Sequence, residues 1–423
     1  MTPLPPQNPN QPFLPFADPP EPAPPEPSQP EPTQSEFSAP APEQNPQPQP
    51  NFEPNTGPVS EPNTEPVSEP QLFHSFSAYA PIPERIPNFG HAALLAFLAF
   101  CGLLCAIALT HLAVHFHLFG VHNLQQAADN VHYTLGTEAV IYLIALLLCL
   151  PIFPLVWHKS FFQGIQWRGH TALRLRYRLF AAAGLCFLLA MFNGVLMPGP
   201  SNAPIDRLFR MPGAAWLLFI FGVTFAPFFE ELAFRGFLLP SFCTAHDWIA
   251  EQITALAHPE LIQPGQPAQH TLFARTVADV YLALPIFAFV PTHAVGMLPR
   301  TIFVIAWIFV SGLWWSSTVL RPSRRAAALV PPLDPHGHPV WSFHAMTIAS
   351  VLSSVPFALM HGQQTSYALG PFLLLIAVSL VLSWVRLLTR SLASSVLVHA
   401  SYNFLLFGFM FLGTSGFRHL DRM

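Results

Sequence analysis

Two adjacent carboxylates, Glu230 and Glu231, interrupt one of the most apolar parts of the sequence. In hydrocarbon an ionisable side chain costs at least a few kcal/mol, so each carboxylate requires an explanation. Residues i and i+4 share one face of a helix, so Glu231 can pair with Arg235, whereas Glu230 points in a different direction. A structural ion pair with a snorkelling Glu230 is the simpler interpretation. It leaves Glu230 without a charged partner, which makes this carboxylate a candidate for chemistry.

Two histidines lie in apolar runs further along the chain. Phe357 and His361 are four residues apart and project from one helix face, and His399 and Asn403 have the same spacing. A lone histidine in a membrane helix is more often a hydrogen-bonded core residue than a catalytic one. A functional role is favoured here by the neighbouring polar groups. The amide of Asn403 lies one turn from His399, and the unpaired carboxylate of Glu230 occurs elsewhere in the apolar runs.

The composition requires that membrane helices position these side chains. Only 9% of the 423 residues are charged, 52% are hydrophobic and the mean hydropathy is +0.40, which excludes a water-soluble enzyme. Apolar runs with the length that a bilayer requires of a helix alternate with short polar connectors. We predict an all-α polytopic bundle of eight or nine transmembrane helices, with runs at 91–112, 136–157, 178–197, 213–235, 278–297, 301–320, 344–364, 368–387 and 392–413.

A proline-rich segment precedes these runs. Residues 1–87 hold 27 of the 48 prolines, and residues 1–84 carry 11 of the 22 acids with no Lys or Arg. Proline at this density prevents helix and sheet formation, and too little apolar surface is present to offset the entropy of ordering. We therefore predict a disordered cytoplasmic tail, which is either a spacer or a docking arm for a proline-recognising partner. The chain has no basic cluster with interleaved aromatics, which argues against nucleic-acid binding.

Basic residues in the connectors predict the orientation of the bundle. The second connector contains Lys159 and several arginines, whereas the connector at 113–135 has no Lys or Arg. The positive-inside rule then places the N-terminus and the second connector in the cytoplasm. We expect an integral protein of the cell (inner) membrane. In this orientation Glu230 and His399 lie toward the cytoplasmic half of the bundle, while hydropathy places His361 near the far end of its run.

Three short blocks together resemble the signatures of one protein family. They are EELAFR at 230–235, FALMH at 357–361 and HASYN at 399–403. In this order, and inside apolar helices, they are similar to the EExxxR, FxxxH and HxxxN motifs of the CPBP family of intramembrane proteases. That family includes the type II CAAX prenyl endopeptidases and bacteriocin-immunity relatives. The resemblance covers roughly 178–413 and implies a helical protease core there.

One departure from the family pattern concerns the spacing of the first two motifs. About 125 residues separate Glu231 from Phe357, where the family usually has a few tens. We therefore predict a two-span insertion over about 241–342 within a membrane domain of 88–423. The polar stretch 241–277 is interpreted as an amphipathic helix followed by a loop.

The resemblance also implies a role for each polar side chain. Glu230 would activate a water molecule, and His361 would orient this water and share its proton. His399 would bind the water or polarise the scissile carbonyl, and Asn403 would hydrogen-bond the developing oxyanion. Glu231 would belong to the same network, braced by the arginine one turn away.

Structural support and a metal are implied in the same way. Arg235 and Phe357 are expected to hold the site together. The sequence has no HExxH motif, so the usual zinc pair on one helix does not occur. Glu230, His361 and His399 from three different helices can still form a three-ligand zinc site with an open position. A metal-free glutamate mechanism fits the same residues.

Three functions are open from the sequence alone. The first is an intramembrane endopeptidase that cuts a membrane-associated protein, as in CAAX processing. The second is a non-catalytic scaffold or immunity-type protein of the same fold, which recruits partners through the tail. The third is a proton-coupled transporter, which would require an internal repeat symmetry that the apolar runs do not display.

Overall fold

The computed structural model describes the greater part of the chain after the proline-rich tail. The described residues are 87–200, 204–209, 211, 213–261, 269–287, 299–300, 302–304, 306–311 and 340–418. Within these ranges every regular element is a helix and no strand occurs, which confirms the all-α prediction. The predicted disordered tail, apart from its last residue, lies outside the described residues.

Seven helices among the described residues are long and apolar enough to cross a membrane. Apart from the C-terminus of the fourth, their ends lie within five residues of the predicted runs. In chain order the helices are α1 (Phe89–His115), α2 (Val131–Trp157), α3 (Arg176–Leu196), α4 (Ala214–Ala257), the shorter α5 (Leu272–Phe287), α6 (Phe343–Met360), α7 (Leu369–Thr389) and α8 (Leu392–Gly413).

The predicted insertion is described only in part. The polar stretch that begins at 241 is helical, but it continues α4 to Ala257 instead of forming a separate helix. α5 overlaps the start of the run 278–297, and the described residues of the run 301–320 form a short apolar helix, Ile302–Ser311. The remainder of both runs lies outside the described residues, so the eighth and ninth spans stay predictions.

Side-chain caps set the starts of four membrane helices. Asn88, Asn130, Ser342 and Ser391 each accept a hydrogen bond from a backbone N–H in the first turn of α1, α2, α6 and α8. Such caps satisfy amide donors that have no partner within the helix. Two of the four caps begin the helices that carry the FALMH and HASYN blocks, so residues outside the motifs define where those helices start.

α4 is not a uniform α-helix. At Thr224 the backbone departs from helical geometry, with φ −115° and ψ −69°, and Leu232–Leu238 forms a π-helical turn. A π turn adds a residue to the α-helical spacing and frees backbone groups, and such turns are frequent at functional sites. The carbonyl of Arg235 accepts a hydrogen bond of 3.2 Å from Nε of Arg386 on α7. The break and the π turn thus lie on either side of the two carboxylates.

α4 and α6 pack against each other in antiparallel directions. The rings of Phe234 and Phe357 lie 5.2 Å apart, and Asp247 accepts a 2.8 Å hydrogen bond from the backbone N–H of Ser342. Residue numbers therefore rise along α4 as they fall along α6. α6 has 18 residues, and a helix of this length extends about 27 Å. Its C-terminus, followed by His361, consequently lies at the depth of the two carboxylates, which removes the mismatch that hydropathy indicated.

Aromatic side chains pack on the π turn of α4. The ring of Phe237 lies 4.9 Å from Phe153, 5.8 Å from Trp157 and 6.4 Å from Phe161. His91, in the first turn of α1, lies 5.5 Å from Trp157. These contacts place the start of α1, the end of α2 and the π turn at one level of the bundle, adjacent to the EELAFR block.

Candidate active site

The second carboxylate of the pair, Glu231, is held by two partners. Its side chain is fully buried, and its Oε1 accepts hydrogen bonds of 2.8 Å from Arg235 and 2.9 Å from Nδ1 of His399. The arginine lies one turn away on α4, as the sequence predicted, while the imidazole comes from α8. A buried charge is tolerated when it is paired and hydrogen-bonded, which is the case here.

Arg235 connects the carboxylate to α6 and α7. It donates to the backbone oxygen of Ser379 at 3.0 Å and to the hydroxyl of the same residue at 2.7 Å. Its guanidinium carbon lies 4.5 Å from the centre of the Phe357 ring, a distance typical of a cation–π contact. Since the side chain of Arg235 is completely buried, these contacts fix both the charge and the position of Glu231.

The hydrogen bonds assign a tautomer to each neutral histidine of the site. Nδ1 of His361 lies 2.9 Å from the carbonyl oxygen of Phe357, which can only accept, so this nitrogen carries the proton. Nδ1 of His399 faces the carboxylate of Glu231, which is itself held by an arginine, so it too is a donor. When the rings are neutral, Nε2 is therefore the nitrogen without a proton, and it can accept a proton or bind a metal.

The first carboxylate of the pair, Glu230, lies opposite both of these nitrogens. Its Oε2 is 3.7 Å from Nε2 of His361 and 3.8 Å from Nε2 of His399, and it is buried without a hydrogen bond among the described residues. Both distances are too long for a direct hydrogen bond. Polar groups separated in this way are commonly bridged by water. The arrangement can therefore hold one water molecule between a base and two imidazoles.

Phe357 packs against both histidines. Its ring lies 5.0 Å from His361 and 6.0 Å from His399, and the residue is buried. Because the same ring also contacts the guanidinium of Arg235, it limits the positions that these side chains can take. The structure thus places both predicted support residues, Phe357 and Arg235, in contact with the site.

Asn403 occupies a different environment from the other predicted site residues. Its amide nitrogen donates a 2.7 Å hydrogen bond to the carbonyl of Gly222, just before the break at Thr224. One of its two N–H groups is therefore engaged with the backbone of α4, two residues before the break. Asn403 consequently joins α8 to α4 one turn away from His399.

Sequence reasoning missed three side chains that position the site. Ser379 binds Arg235, as described above, while Arg386 donates to Gln166 at 2.8 Å and to the carbonyl of Arg235. Arg386 lies inside the apolar run 368–387, and this position is the signal that could have indicated its buried role. Ser379 carried no comparable signal, because its importance depends on which helix packs against it.

The chemical types of the candidate ligands suit a zinc ion. Two imidazoles with free Nε2 atoms and hydrogen-bonded Nδ1 atoms, together with a carboxylate, are typical ligands of a zinc site. The spacing is less suitable. The candidate ligand atoms of Glu230, His361 and His399 are not all within 4.8 Å of one another. The present distances correspond better to a bridging water.

Comparison with protein families gives one match. The model of the family described as Type II CAAX prenyl endopeptidase Rce1-like matches residues 328–405. This match confirms the CPBP resemblance. The matched segment includes the FALMH and HASYN blocks but not EELAFR. No curated protein and no solved structure matches the chain.

The CPBP match and the helices together define the class of protein. The family is one of proteases, which supports a peptidase, and the seven apolar helices among the described residues support an integral membrane protein. A lipid bilayer and a protein substrate are the partners that such a peptidase requires.

Proposed function

We propose that this chain is an intramembrane endopeptidase that hydrolyses a peptide bond in a membrane-associated protein, in the manner of CAAX processing. The observation that carries the proposal is the convergence of the Nε2 atoms of His361 and His399 on the buried Oε2 of Glu230, at 3.7 and 3.8 Å. This is the spacing of a water-filled gap between a base and two proton carriers. A purely structural ion pair would not require it, because Glu231 and Arg235 already satisfy each other.

In the proposed reaction, Glu230 removes a proton from the water held between it and the two imidazoles. The resulting hydroxide adds to the scissile carbonyl, and the carbonyl oxygen becomes an oxyanion. Proton transfer from Glu230 through His361 to the amide nitrogen then allows the C–N bond to break as the C=O bond re-forms, releasing an amine and a carboxylic acid, which then ionises. General acid–base catalysis of this kind contributes about 100- to 10,000-fold to a rate.

His399 and Glu231 form the electrostatic part of the proposed site. With Nε2 unprotonated, His399 accepts a hydrogen bond from the water. With a proton taken from solvent on Nε2, it would instead polarise the scissile carbonyl, and the carboxylate at its Nδ1 would stabilise that imidazolium. A buried carboxylate behind a histidine plays the same part in other hydrolases. Asn403 has a second amide N–H beyond the one that binds Gly222, and this group is the proposed donor to the oxyanion.

A metal-dependent form of the reaction would use the same side chains. Zinc would be held by Nε2 of His361, Nε2 of His399 and Oε2 of Glu230, and it would supply an activated water and a Lewis acid for the carbonyl. The roles of the surrounding groups are the same in both forms: Glu231 and the carbonyl of Phe357 orient the imidazoles.

The test compares cleavage of membrane proteins in cells that express the wild type or Glu230→Gln. This change keeps the shape of the side chain but removes the base, so cleavage should fall by about 100-fold or more. His361→Ala should have the same effect. Profiling of new protein termini in the membrane fraction provides the measurement and identifies the substrate.

The matched control is Glu260→Gln, which removes an exposed carboxylate near the end of α4 and should leave cleavage unchanged. Wild-type cleavage by Glu230→Gln, with equal amounts of protein in the membrane, would contradict the proposal. Full activity of the purified wild type after treatment with a strong chelator would exclude the metal-dependent form of the reaction.

A further inference from the structure

A second cluster of polar side chains lies between α4, α5 and α6. Nε2 of His246 on α4 is 3.0 Å from Oδ1 of Asp279 on α5. Nε2 of His344 on α6 is 3.1 and 3.0 Å from the two oxygens of the same carboxylate. One ligand atom from each of the three residues lies within 4.8 Å of the other two. Three side chains from three helices thus converge on one point.

This cluster is separate from the candidate active site. His246 follows Glu230 by 16 residues on α4, and His344 precedes His361 by 17 residues at the opposite ends of α6. At 1.5 Å per residue, both paths correspond to about 25 Å. The two distances agree because α4 and α6 are antiparallel.

The spacing and chemistry of the three ligand atoms match a site for a transition metal. Metal–ligand distances of about 2.0–2.2 Å place the corners of a tetrahedron about 3.3–3.6 Å apart, a few tenths of an ångström more than the separations found here. Imidazole nitrogens with one carboxylate suit zinc and its neighbours better than calcium or magnesium, which prefer oxygen. The side chain of His246 is fully buried, whereas 28% of Asp279 and 35% of His344 is exposed, so a fourth ligand can approach from that side.

The groups behind His246 provide an independent argument. Its Nδ1 is buried without a hydrogen bond among the described residues, and it faces Oδ1 of Asp247 at 3.6 Å. Asp247 is itself fixed by the backbone N–H and the hydroxyl of Ser342, at 2.8 and 2.6 Å. Histidine ligands of metals commonly direct their second nitrogen at a carboxylate. Asp247 is in the correct place for this function.

The position of the proton distinguishes a metal site from a simple hydrogen-bonded cluster. Without a metal, a neutral His246 must carry its proton on Nε2 to donate to Asp279. Its Nδ1 lone pair then faces the carboxylate of Asp247, which is unfavourable. A metal at Nε2 displaces the proton to Nδ1, where Asp247 can accept it. The metal-free alternative is a doubly protonated His246 between two carboxylates.

We propose that His246, Asp279 and His344 bind a divalent transition-metal ion of the zinc class, and that this ion fastens α5 and the start of α6 to the C-terminal part of α4. The proposal does not depend on the proposed peptidase activity. It adds a metal site in a region outside all three sequence blocks.

The experiment uses the full-length protein, purified in detergent, stripped with a chelator and reloaded with Zn²⁺ or with Co²⁺ as a coloured probe. The wild type should bind an ion that His344→Gln loses, with a decrease in affinity beyond the roughly 10–100-fold that an outer partner contributes. Cobalt bound to the wild type should display the visible absorption of four-coordinate Co²⁺, and His344→Gln should not. Asp279→Asn preserves volume and polarity and should give the same loss, which covers the case in which one variant does not fold.

Two controls locate the ion. His258→Gln changes an exposed histidine at the end of α4 and should leave metal binding unchanged. His361→Gln, which alters the candidate active site, should retain this ion. The proposal is overturned if the wild type binds no ion, which would leave only a hydrogen-bonded cluster. It is equally overturned if His344→Gln and Asp279→Asn bind as the wild type does, or if His361→Gln removes the only ion bound.

Discussion

Glu230 and Glu231 are neighbours in the chain but have opposite environments. Glu231 is held by Arg235 and His399, both at hydrogen-bond distance, and it therefore behaves as part of the framework. Glu230 has no such partner among the described residues and lies across a gap from two imidazole nitrogens. The difference follows from the helix, because adjacent residues point in directions about 100° apart.

Ser379 provides a test of how Arg235 is held. Ser379→Ala removes the hydroxyl that binds the buried guanidinium at 2.7 Å, and a hydrogen bond to a charged group contributes about 1.5–3 kcal/mol. The free energy of unfolding should fall by about that amount, and cleavage should decrease because Arg235 positions Glu231. Thermal unfolding in detergent and a cleavage assay provide the two measurements.

Ser383→Ala is the matched control, one turn further along α7. The hydroxyl of Ser383 is buried but makes no hydrogen bond among the described residues, so its removal should change stability and cleavage little. Equal effects of the two substitutions would contradict the role given to Ser379.

At the residue scale, the polar side chains of the candidate site could be predicted from the sequence better than the residues that hold them in place. Spacing alone paired Glu231 with Arg235, and the family resemblance selected His361 and His399 from 19 histidines. Ser379 and Arg386 could not be found in the same way, since their partners lie more than 140 positions away and depend on how α4 and α7 pack.

Close packing of α1 against α2 determines a prediction at the scale of the helices. A Cβ atom at Gly102 of α1 would lie 2.8 Å from the carbonyl oxygen of Ile141 on α2, so no larger residue fits without separating the helices. Small residues at such contacts allow membrane helices to approach closely. Gly102→Leu should therefore lower the melting temperature and the yield of folded protein, measured by size-exclusion chromatography and thermal unfolding.

Gly136→Leu is the control on α2. A Cβ at this position meets no atom within 4 Å, so the substitution should be tolerated. If both variants behave alike, general hydrophobicity rather than the α1–α2 contact determines the outcome.

Hydropathy predicted the helices that cross the apolar layer, because the thickness of that layer fixes their length. It did not predict that α4 continues to Ala257, since the continuation is polar enough to resemble a connector. The π turn at Leu232–Leu238 could not be predicted from the sequence either, because a single extra residue in a helix hardly changes the pattern of apolar side chains.

For the whole molecule, the positions of the basic residues lead to a prediction of sidedness. The contact between His91 and Trp157 brings the start of α1 and the end of α2 to one face, next to the connector that contains Lys159. We propose that this face is cytoplasmic. In a variant without the five native cysteines, Ser160→Cys should be protected from an impermeant thiol reagent in intact cells, and His122→Cys should be labelled.

Both positions are exposed, so accessibility of the side chain does not distinguish them. Labelling of Ser160→Cys in intact cells, with protection of His122→Cys, would reverse the orientation. The domain boundaries proposed from the sequence, including the tail 1–87 and the insertion 241–342, stay predictions.

The π turn determines the direction in which the second polar cluster of α4 points. Each residue of an α-helix turns the chain by about 100°, and a π turn takes up one extra residue without passing that rotation on to the rest of the helix. If the same residues formed a regular α-helix, His246 would be turned by about 100° away from Asp279. The phase of this distant histidine is therefore set by a single irregularity beside Glu231.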